Sequence, residues 1–87
     1  MLTRVLALEW APHQITVNAV APTFIETELA AQTLDRPGMR DYLLSRIPLN
    51  RLAKVEDLAG AVVYLCSQAA DFITGTVIPV DGGLTLR

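Results

Sequence analysis

The sequence is poor in the residues that make covalent crosslinks and metal sites. It has one cysteine, Cys66, and one histidine, His13, in 87 residues. One cysteine excludes an internal disulfide, and one cysteine with one histidine falls short of the ligand set of a structural zinc site. A reducing, cytoplasmic setting is therefore predicted.

Long apolar runs and an excess of one charge are also absent. Charged residues such as Arg4, Glu26 and Arg51 interrupt the chain before the roughly 18 apolar residues of a membrane span accumulate. The net charge is only -2 with 52% apolar residues, a composition typical of a soluble globular domain and not of a nucleic-acid binder or a disordered tail. The first residues carry no basic leader or cleavage site, so we expect no targeting signal.

Two motifs of nucleotide-dependent catalysis are missing as well. A dinucleotide pyrophosphate cradle needs the spacing G-x-G-x-x-G. The glycines do not have it: Gly38, Gly60, Gly75, Gly82 and Gly83. Lys54 is the only lysine, and neither Tyr42 nor Tyr64 has a lysine four residues on. The sequence therefore predicts no catalytic residue and no site for the adenine half of a cofactor.

What is present indicates an α/β fold. Pro12 ends a first helix, and a β-branched apolar run follows that is typical of a strand buried in a parallel sheet. A helix with an acidic first turn and a second strand complete the pattern. The predicted elements are a helix at Met1–Ala11, a strand at Ile15–Ala21, a helix at Val55–Ser67 and a strand at Thr76–Val80.

Each element carries a further expectation about its surroundings. The first helix is apolar on almost every side and has no capping residue at its start, so it should pack against several partners. The helix Val55–Ser67 should be mostly buried, and Gly60 within it should pack closely against a neighbour to offset its low helix propensity. Pro79 lacks an N–H and should place the last strand at a sheet edge or in a bulge.

The two strands are separated by a long excursion, Thr23–Ala53, with short helices predicted at Glu28–Leu34 and Pro37–Arg46. Excursions of this length in compact domains are usually lids or binding loops. The alternative interpretation is a mobile surface loop.

Ligands of open parallel sheets bind beyond the carboxyl ends of the strands, and here that position is the segment that starts at Ala21 and continues through Pro22. The following residues offer backbone groups, a hydroxyl and an apolar wall to a flat polar ring. Each also has an ordinary structural interpretation, since Thr27 could cap the next helix and Ile25 could be core. Asn18, inside the apolar run, is expected to bridge backbone groups.

Two further polar side chains have only ordinary interpretations. His13 follows Pro12 in the turn between the first helix and the first strand, and we expect it on the surface. Arg51 has no partner that the sequence identifies, so an ordinary surface or loop-anchoring ion pair is its expected role.

Four segments in order resemble motifs of the short-chain dehydrogenase/reductase family. The run Asn18–Pro22, followed by Ile25 and Thr27, is similar to N-x-V-x-P-G-x-I-x-T. Downstream, Pro48–Arg51 resembles P-L-x-R and Val55–Ala59 resembles P-E-D-I-A. Residues 73–83 resemble I-T-G-x-x-I-x-V-D-G-G. The resemblance covers essentially the whole chain.

The resemblance implies the C-terminal portion of a Rossmann-like doubly wound parallel sheet, with 1–87 as one segment of a single domain. Ile15–Ala21 and Thr76–Val80 would be its sixth and seventh strands, joined by a crossover helix. Glu28–Arg46 would be the lid over the substrate. The family's catalytic serine, tyrosine and lysine all precede this part of the chain, and the Y-x-x-x-K motif would end a few residues before Met1.

The resemblance also assigns roles around a nicotinamide cofactor, NAD or NADP. Pro22 would lie against the nicotinamide ring, the Ile25 backbone would bond the carboxamide, and the Thr27 hydroxyl would add a bond. Thr23 stands where the family usually has glycine, and a β-branched residue resists positive φ, so this turn should use an ordinary backbone conformation.

The implied function is a segment of an oxidoreductase that transfers hydride between the nicotinamide cofactor and a small-molecule secondary alcohol or ketone. Family members commonly form dimers and tetramers, so a homo-oligomer is expected. The alternative is a non-catalytic remnant or an interaction protein, because the chain itself lacks the family's catalytic residues.

Overall fold

The computed structural model describes residues 1–86, apart from the side chains of residues 28–30. The elements, in chain order, are α1 (Leu2–Trp10), β1 (Ala19–Pro22), α2 (Glu28–Leu34), α3 (Met39–Arg46), α4 (Val55–Leu65) and β2 (Val77–Val80). Short 3-10 turns lie at Ala11–His13, Gln68–Ala70 and Leu84–Leu86. The predicted α/β class is confirmed. In the described part of the chain no helix has the length and apolar character needed to cross a membrane.

The sheet consists of β1 and β2, paired in parallel with Ala19 opposite Val77 and Pro22 opposite Val80. Helix α4 packs against both strands and forms the connection between them together with the excursion. Pro79, in β2, lies opposite Ala21, in β1. In the described chain β2 has one hydrogen-bonded neighbour, so the predicted edge position of Pro79 is confirmed.

The first strand is shorter at its start than predicted. Pairing begins at Ala19, whose N–H donates to Thr76 O at 2.9 Å. Just before it, Val17 N–H donates to the Thr74 hydroxyl at 3.0 Å, and Val17 O accepts from Gly75 N–H at 2.7 Å. A side chain thus takes the place of a regular ladder bond, so the predicted strand start at Ile15 is wrong. Pro22, expected to end the strand at Ala21, is its last residue.

The helices also begin or end within a few residues of their predicted bounds. Helix α2 has the predicted bounds. Helix α3 begins at Met39 and not at Pro37, because Gly38 precedes it in a left-handed conformation with φ +77°. Helix α1 lacks a side-chain cap, as predicted. Helix α4 ends at Leu65 and not at Ser67.

The predicted burial of α4 is wrong for this chain. Its residues Leu58, Ala61 and Leu65 are half-buried, whereas Val62 and Val63 are exposed. The helix has one face against the two strands, and its other apolar residues find no cover among the described residues. A Cβ added at Gly60 would meet no atom within 4 Å, so the expected close packing at this glycine is also absent.

The best-packed part of the molecule is the excursion. Its core side chains come from α2, α3 and the segment after α3, and they are 2–8% exposed: Leu34, Leu43, Ile47 and Leu52. Met39, Leu44 and Leu84 pack around this cluster. The excursion therefore contains a packed core of its own, and both interpretations of it, as a lid and as a mobile surface loop, stay predictions.

Candidate functional site

The candidate site is the segment after β1, Pro22–Thr27, which we call the floor segment. It leaves the sheet at Thr23, whose N–H still donates to Val80 O at 3.4 Å. It then pairs with the end of the excursion through a single parallel bridge between Ile25 and Ala53. Ala53 N–H donates to Phe24 O at 3.2 Å, and Glu26 N–H donates to Ala53 O at 2.9 Å. The floor segment is thus held in an extended conformation at the carboxyl end of the sheet.

This bridge leaves the Ile25 backbone available. In this parallel bridge Ala53 makes both hydrogen bonds, and its partners are Phe24 and Glu26, which flank Ile25. The N–H and C=O of Ile25 therefore point away from Ala53. Neither group of Ile25 has a hydrogen bond to another described residue. Its side chain is only half-buried. Backbone groups of this kind are ordinarily paired, so Ile25 presents a donor and an acceptor to a ligand or to further chain.

The other predicted contacts flank Ile25. Pro22 is exposed, and Thr23 and Thr27 are half-buried. Thr23 is not in a left-handed conformation, so the turn uses an ordinary backbone conformation, as predicted. The Thr23 hydroxyl is buried and has no hydrogen-bond partner among the described residues. The structure therefore places Pro22, Thr23, Ile25 and Thr27 in one segment, and their contacts with a cofactor stay predictions.

Thr27 stands directly before α2, and its carbonyl accepts from Ala31 N–H at 3.0 Å. A carbonyl that accepts the first helical bond marks the N-cap position. The position suits the helix-capping interpretation, and it also places Thr27 two residues from Ile25. Both interpretations of its hydroxyl remain open.

The C-terminal turn, Asp81–Leu86, was not recognised from the sequence as part of this site. The Asp81 carboxylate accepts from Gly83 N–H at 3.0 Å, from Thr85 N–H at 3.1 Å and from the Thr85 hydroxyl at 2.6 Å. These bonds, the Thr85 hydroxyl first, lower the pKa of Asp81. An aspartate followed by a threonine four residues on is the signal that could have indicated this cap.

The C-terminal turn fixes the base of the excursion. Gly82 has φ +62°, and a Cβ added there would lie 2.7 Å from Ile47 Cγ2. Leu49 N–H donates to Gly82 O at 3.1 Å. The turn and the end of α3 therefore approach too closely for a side chain at position 82.

A charged pair joins the excursion to α4. Arg51 donates to both oxygens of Asp57, from Nη1 at 2.8 Å and Nη2 at 3.2 Å. Asp57 Oδ2 also accepts from Lys54 N–H at 2.8 Å. The hydrogen bond from Arg51 and that from Lys54 lower the pKa of Asp57 to about 2. The predicted loop-anchoring ion pair of Arg51 is confirmed.

A cavity of about 530 Å³ opens at the same edge of the sheet. Its wall includes Thr23, Arg51, Asp57, Asp81 and Gly82. The ionic groups in this wall are already paired or capped within the chain, so they stabilise the loops around the cavity.

Asn18 has the bridging role predicted for it. Its side-chain amide donates to Ile73 O at 3.0 Å and accepts from Thr76 N–H at 3.2 Å. These bonds fix the entrance of β2 beside β1. His13 is exposed in the 3-10 turn after α1, as predicted.

A second ion pair reaches from the excursion to the floor segment. Arg40 Nη1, on α3, lies 3.1 Å from Glu26 Oε1. Glu26 follows Ile25 directly, so this pair links α3 to the residue beside the available backbone groups.

The family model described as enoyl-(acyl carrier protein) reductase matches residues 1–85. The chain belongs to the short-chain dehydrogenase/reductase family. It is 49% identical to a tropinone reductase homolog of Arabidopsis thaliana, covering 99% of this chain and 33% of that protein. It is 43% identical to human L-xylulose reductase, covering 95% and 34% of the two chains. The chain thus spans about a third of the length of the curated relatives it matches.

The family's solved structures share the fold closely. A gluconate 5-dehydrogenase from Burkholderia cenocepacia, in complex with NADP and tartrate, matches with a TM-score of 0.94 at 40% identity. The match covers 100% of this chain and 34% of that one. The chain is therefore a portion of the Rossmann-like sheet of this family, as the sequence predicted.

Proposed function

We propose that this chain supplies the nicotinamide-side floor and the substrate lid of an NAD(P)-dependent oxidoreductase. The complete protein would transfer hydride between the nicotinamide and a secondary alcohol or ketone. The names of the relatives, a xylulose reductase and a gluconate dehydrogenase, support a sugar or polyol as the small-molecule substrate.

The available Ile25 backbone carries this proposal. A carboxamide has one acceptor oxygen and one donor NH₂, which complement a free N–H and a free C=O on the same residue. Pro22 would lie against the ring, and Thr23 and Thr27 would flank the carboxamide. The bound nicotinamide supplies the hydride chemistry, and the floor segment orients the ring.

The setting of the proposed enzyme follows from composition and surface. We propose a cytoplasmic protein, because its single cysteine suits a reducing compartment. We also propose a homo-oligomer, because large apolar side chains such as Val5, Leu8, Val63 and Phe72 are exposed. Apolar surface of this extent is typical of surfaces that pack against other chain segments or subunits.

Amide hydrogen exchange at two adjacent residues tests the cofactor contact. The test protein is a complete enzyme in which residues 1–87 replace the matching third of the Burkholderia gluconate 5-dehydrogenase. Adding NADPH should slow exchange at Ile25 N–H, which makes no hydrogen bond within the described part of the chain. The adjacent Glu26 N–H, already bonded to Ala53, is the internal control. Unchanged exchange at Ile25 with NADPH bound would contradict the proposed contact.

The hydroxyl of Thr27 is tested in the same complete enzyme. Thr27→Ala should weaken NADPH binding or slow hydride transfer several-fold, corresponding to about 0.5–1.5 kcal/mol for one hydrogen bond. Thr16→Ala, which removes an exposed hydroxyl before β1, should change neither. If Thr27→Ala lowers only thermal stability, Thr27 is a helix cap.

The 87-residue chain alone should show no turnover.

A further inference from the structure

We propose that Glu26 and Arg40 form a latch that holds α3, part of the proposed lid, against the floor segment. The two residues would thus be positioning residues for the nicotinamide. This inference rests on the proposed function for its effect on the cofactor, whereas the latch itself is a property of the 87-residue chain.

The first argument is that Glu26 is fixed at its backbone and extended through its side chain. Its N–H bonds Ala53 O at 2.9 Å, so its backbone belongs to the bridge that exposes Ile25. Its carboxylate reaches Arg40 across 14 residues of sequence. The pair therefore ties Arg40 to a residue of fixed backbone position that lies between Ile25 and Thr27.

The second argument concerns the two ends of α3. Its C-terminal end is fixed, because Ile47 is buried in the excursion core and touches the turn at Gly82. Arg40 lies seven residues earlier, roughly 10 Å along a helix. Gly38, just before α3, has φ +77°, a conformation that glycine adopts without strain. The Arg40 end of α3 thus lies far from the buried anchor and next to a permissive backbone position.

The third argument is that the pair is accessible to solvent. The Arg40 and Glu26 side chains are 43% and 51% exposed. Exposed ion pairs shift an equilibrium by no more than about fivefold and weaken in salt. An exposed pair of this strength can form and break readily, whereas the contact of Ile47 in the core is buried.

A double-mutant cycle in the complete chimeric enzyme tests the latch. Glu26→Gln and Arg40→Gln should each raise the Kd for NADPH about two- to fivefold. The Kd of the double variant should not exceed that of the single variant with the higher Kd. The charge swap, Glu26→Arg with Arg40→Glu, should bring the Kd back to within about twofold. In 1 M NaCl the Kd values of the parent and of the single variants should converge, because salt screens the ion pair in the parent.

The matched control removes a charge that makes no ion pair with the described residues. Arg36 also lies in the excursion, and its side chain has no bond to a described residue. Arg36→Gln should leave the Kd unchanged. Equal effects of Arg36→Gln and Arg40→Gln, or additive effects of the two latch variants, would overturn the proposal.

Hydrogen exchange in the 87-residue chain tests the latch without a cofactor. The reporter is Tyr42 N–H, which donates to Gly38 O at 3.0 Å in the first turn of α3. Glu26→Gln and Arg40→Gln should speed its exchange several-fold, whereas Arg36→Gln should not. If the chimera fails to bind NADPH, the proposed function fails, and this exchange still decides the latch. Unchanged exchange at Tyr42 N–H in both variants would show that the pair does not stabilise the start of α3.

Discussion

The excursion and the sheet differ in how they bury apolar side chains. In the excursion Leu34 and Ile47 are 2% and 3% exposed, and they lie within a single core cluster. In the sheet and its helices, Leu8 is 80% exposed and Val63 is 67% exposed. The core residues of the excursion are close in sequence, whereas a doubly wound sheet covers its faces with strands and helices distant in sequence. The core of the excursion is buried within these 87 residues because its four central side chains are close in sequence, and Leu84 adds one distant partner.

The largest expected effect comes from opening the excursion core. Leu43→Ala should lower the free energy of unfolding of the excursion by about 2–5 kcal/mol, because it removes a buried side chain and leaves a cavity. Val63→Ala, on the exposed face of α4, should change it by less than about 0.5 kcal/mol. Amide exchange of α3 in the purified chain measures both. Equal losses of unfolding free energy for the two variants would show that the excursion is no better packed than the outer face of α4.

The next effect concerns the contact between the excursion and the C-terminal turn. Gly82→Ala should cost about 1–3 kcal/mol, because its φ is positive and the new Cβ would overlap Ile47 Cγ2. Adding Ile47→Leu, which removes Cγ2, should restore part of this loss.

Gly60→Ala is the matched control for Gly82→Ala, since its Cβ would meet no atom. It should stabilise the chain by about 0.5–1 kcal/mol through helix propensity. Urea unfolding measures the three variants. A Gly82→Ala variant as stable as the parent would show that the turn does not fix the excursion.

The smallest expected effect is the pH dependence of the joint between the two regions. The pKa of Asp57 falls from 3.8 to about 2 in the folded chain. The folded chain therefore binds this proton more weakly than the unfolded chain, so the stabilisation is complete above pH 3.8 and is lost as the pH falls through about 2.

Asp57→Asn tests this sign. The stability difference between the parent and Asp57→Asn should narrow as the pH falls over that range, in unfolding curves recorded at several pH values. Glu56→Gln removes a neighbouring exposed carboxylate that makes no hydrogen bond to a described residue, and it should show no narrowing. A constant difference for Asp57→Asn would indicate that the pair contributes nothing to folding.

Local sequence signals predicted the helices better than the strand start. The bounds of α2 matched, because a helix of local bonds is largely decided by its own residues. The strand was predicted to begin at Ile15, because apolar β-branched residues continue back to that point. Its true start depends on Thr74, more than 50 residues away, whose hydroxyl bonds Val17 in place of a ladder bond. Such a contact leaves no mark on the pattern around Ile15.

The candidate site rests on the resemblance, which indicated Pro22, Thr23, Ile25 and Thr27, and their contacts with a cofactor stay predictions. The pairing of Ile25 with Ala53, which frees the Ile25 backbone, was not predictable from either stretch alone. The role of the C-terminal turn was missed because its contact with Ile47 joins residues about two fifths of the chain apart.

The sequence by itself determined the α/β order, the two excursion helices and membership of the family, because periodicity, breakers and motif spacing are local properties. Only the tertiary structure decided which apolar faces are covered, which residue Arg51 pairs with, and why position 82 has no room for a side chain. A hydrophobic pattern shows which face of an element avoids water. It does not show what covers that face, because the covering residues lie elsewhere in the chain and meet it only on folding.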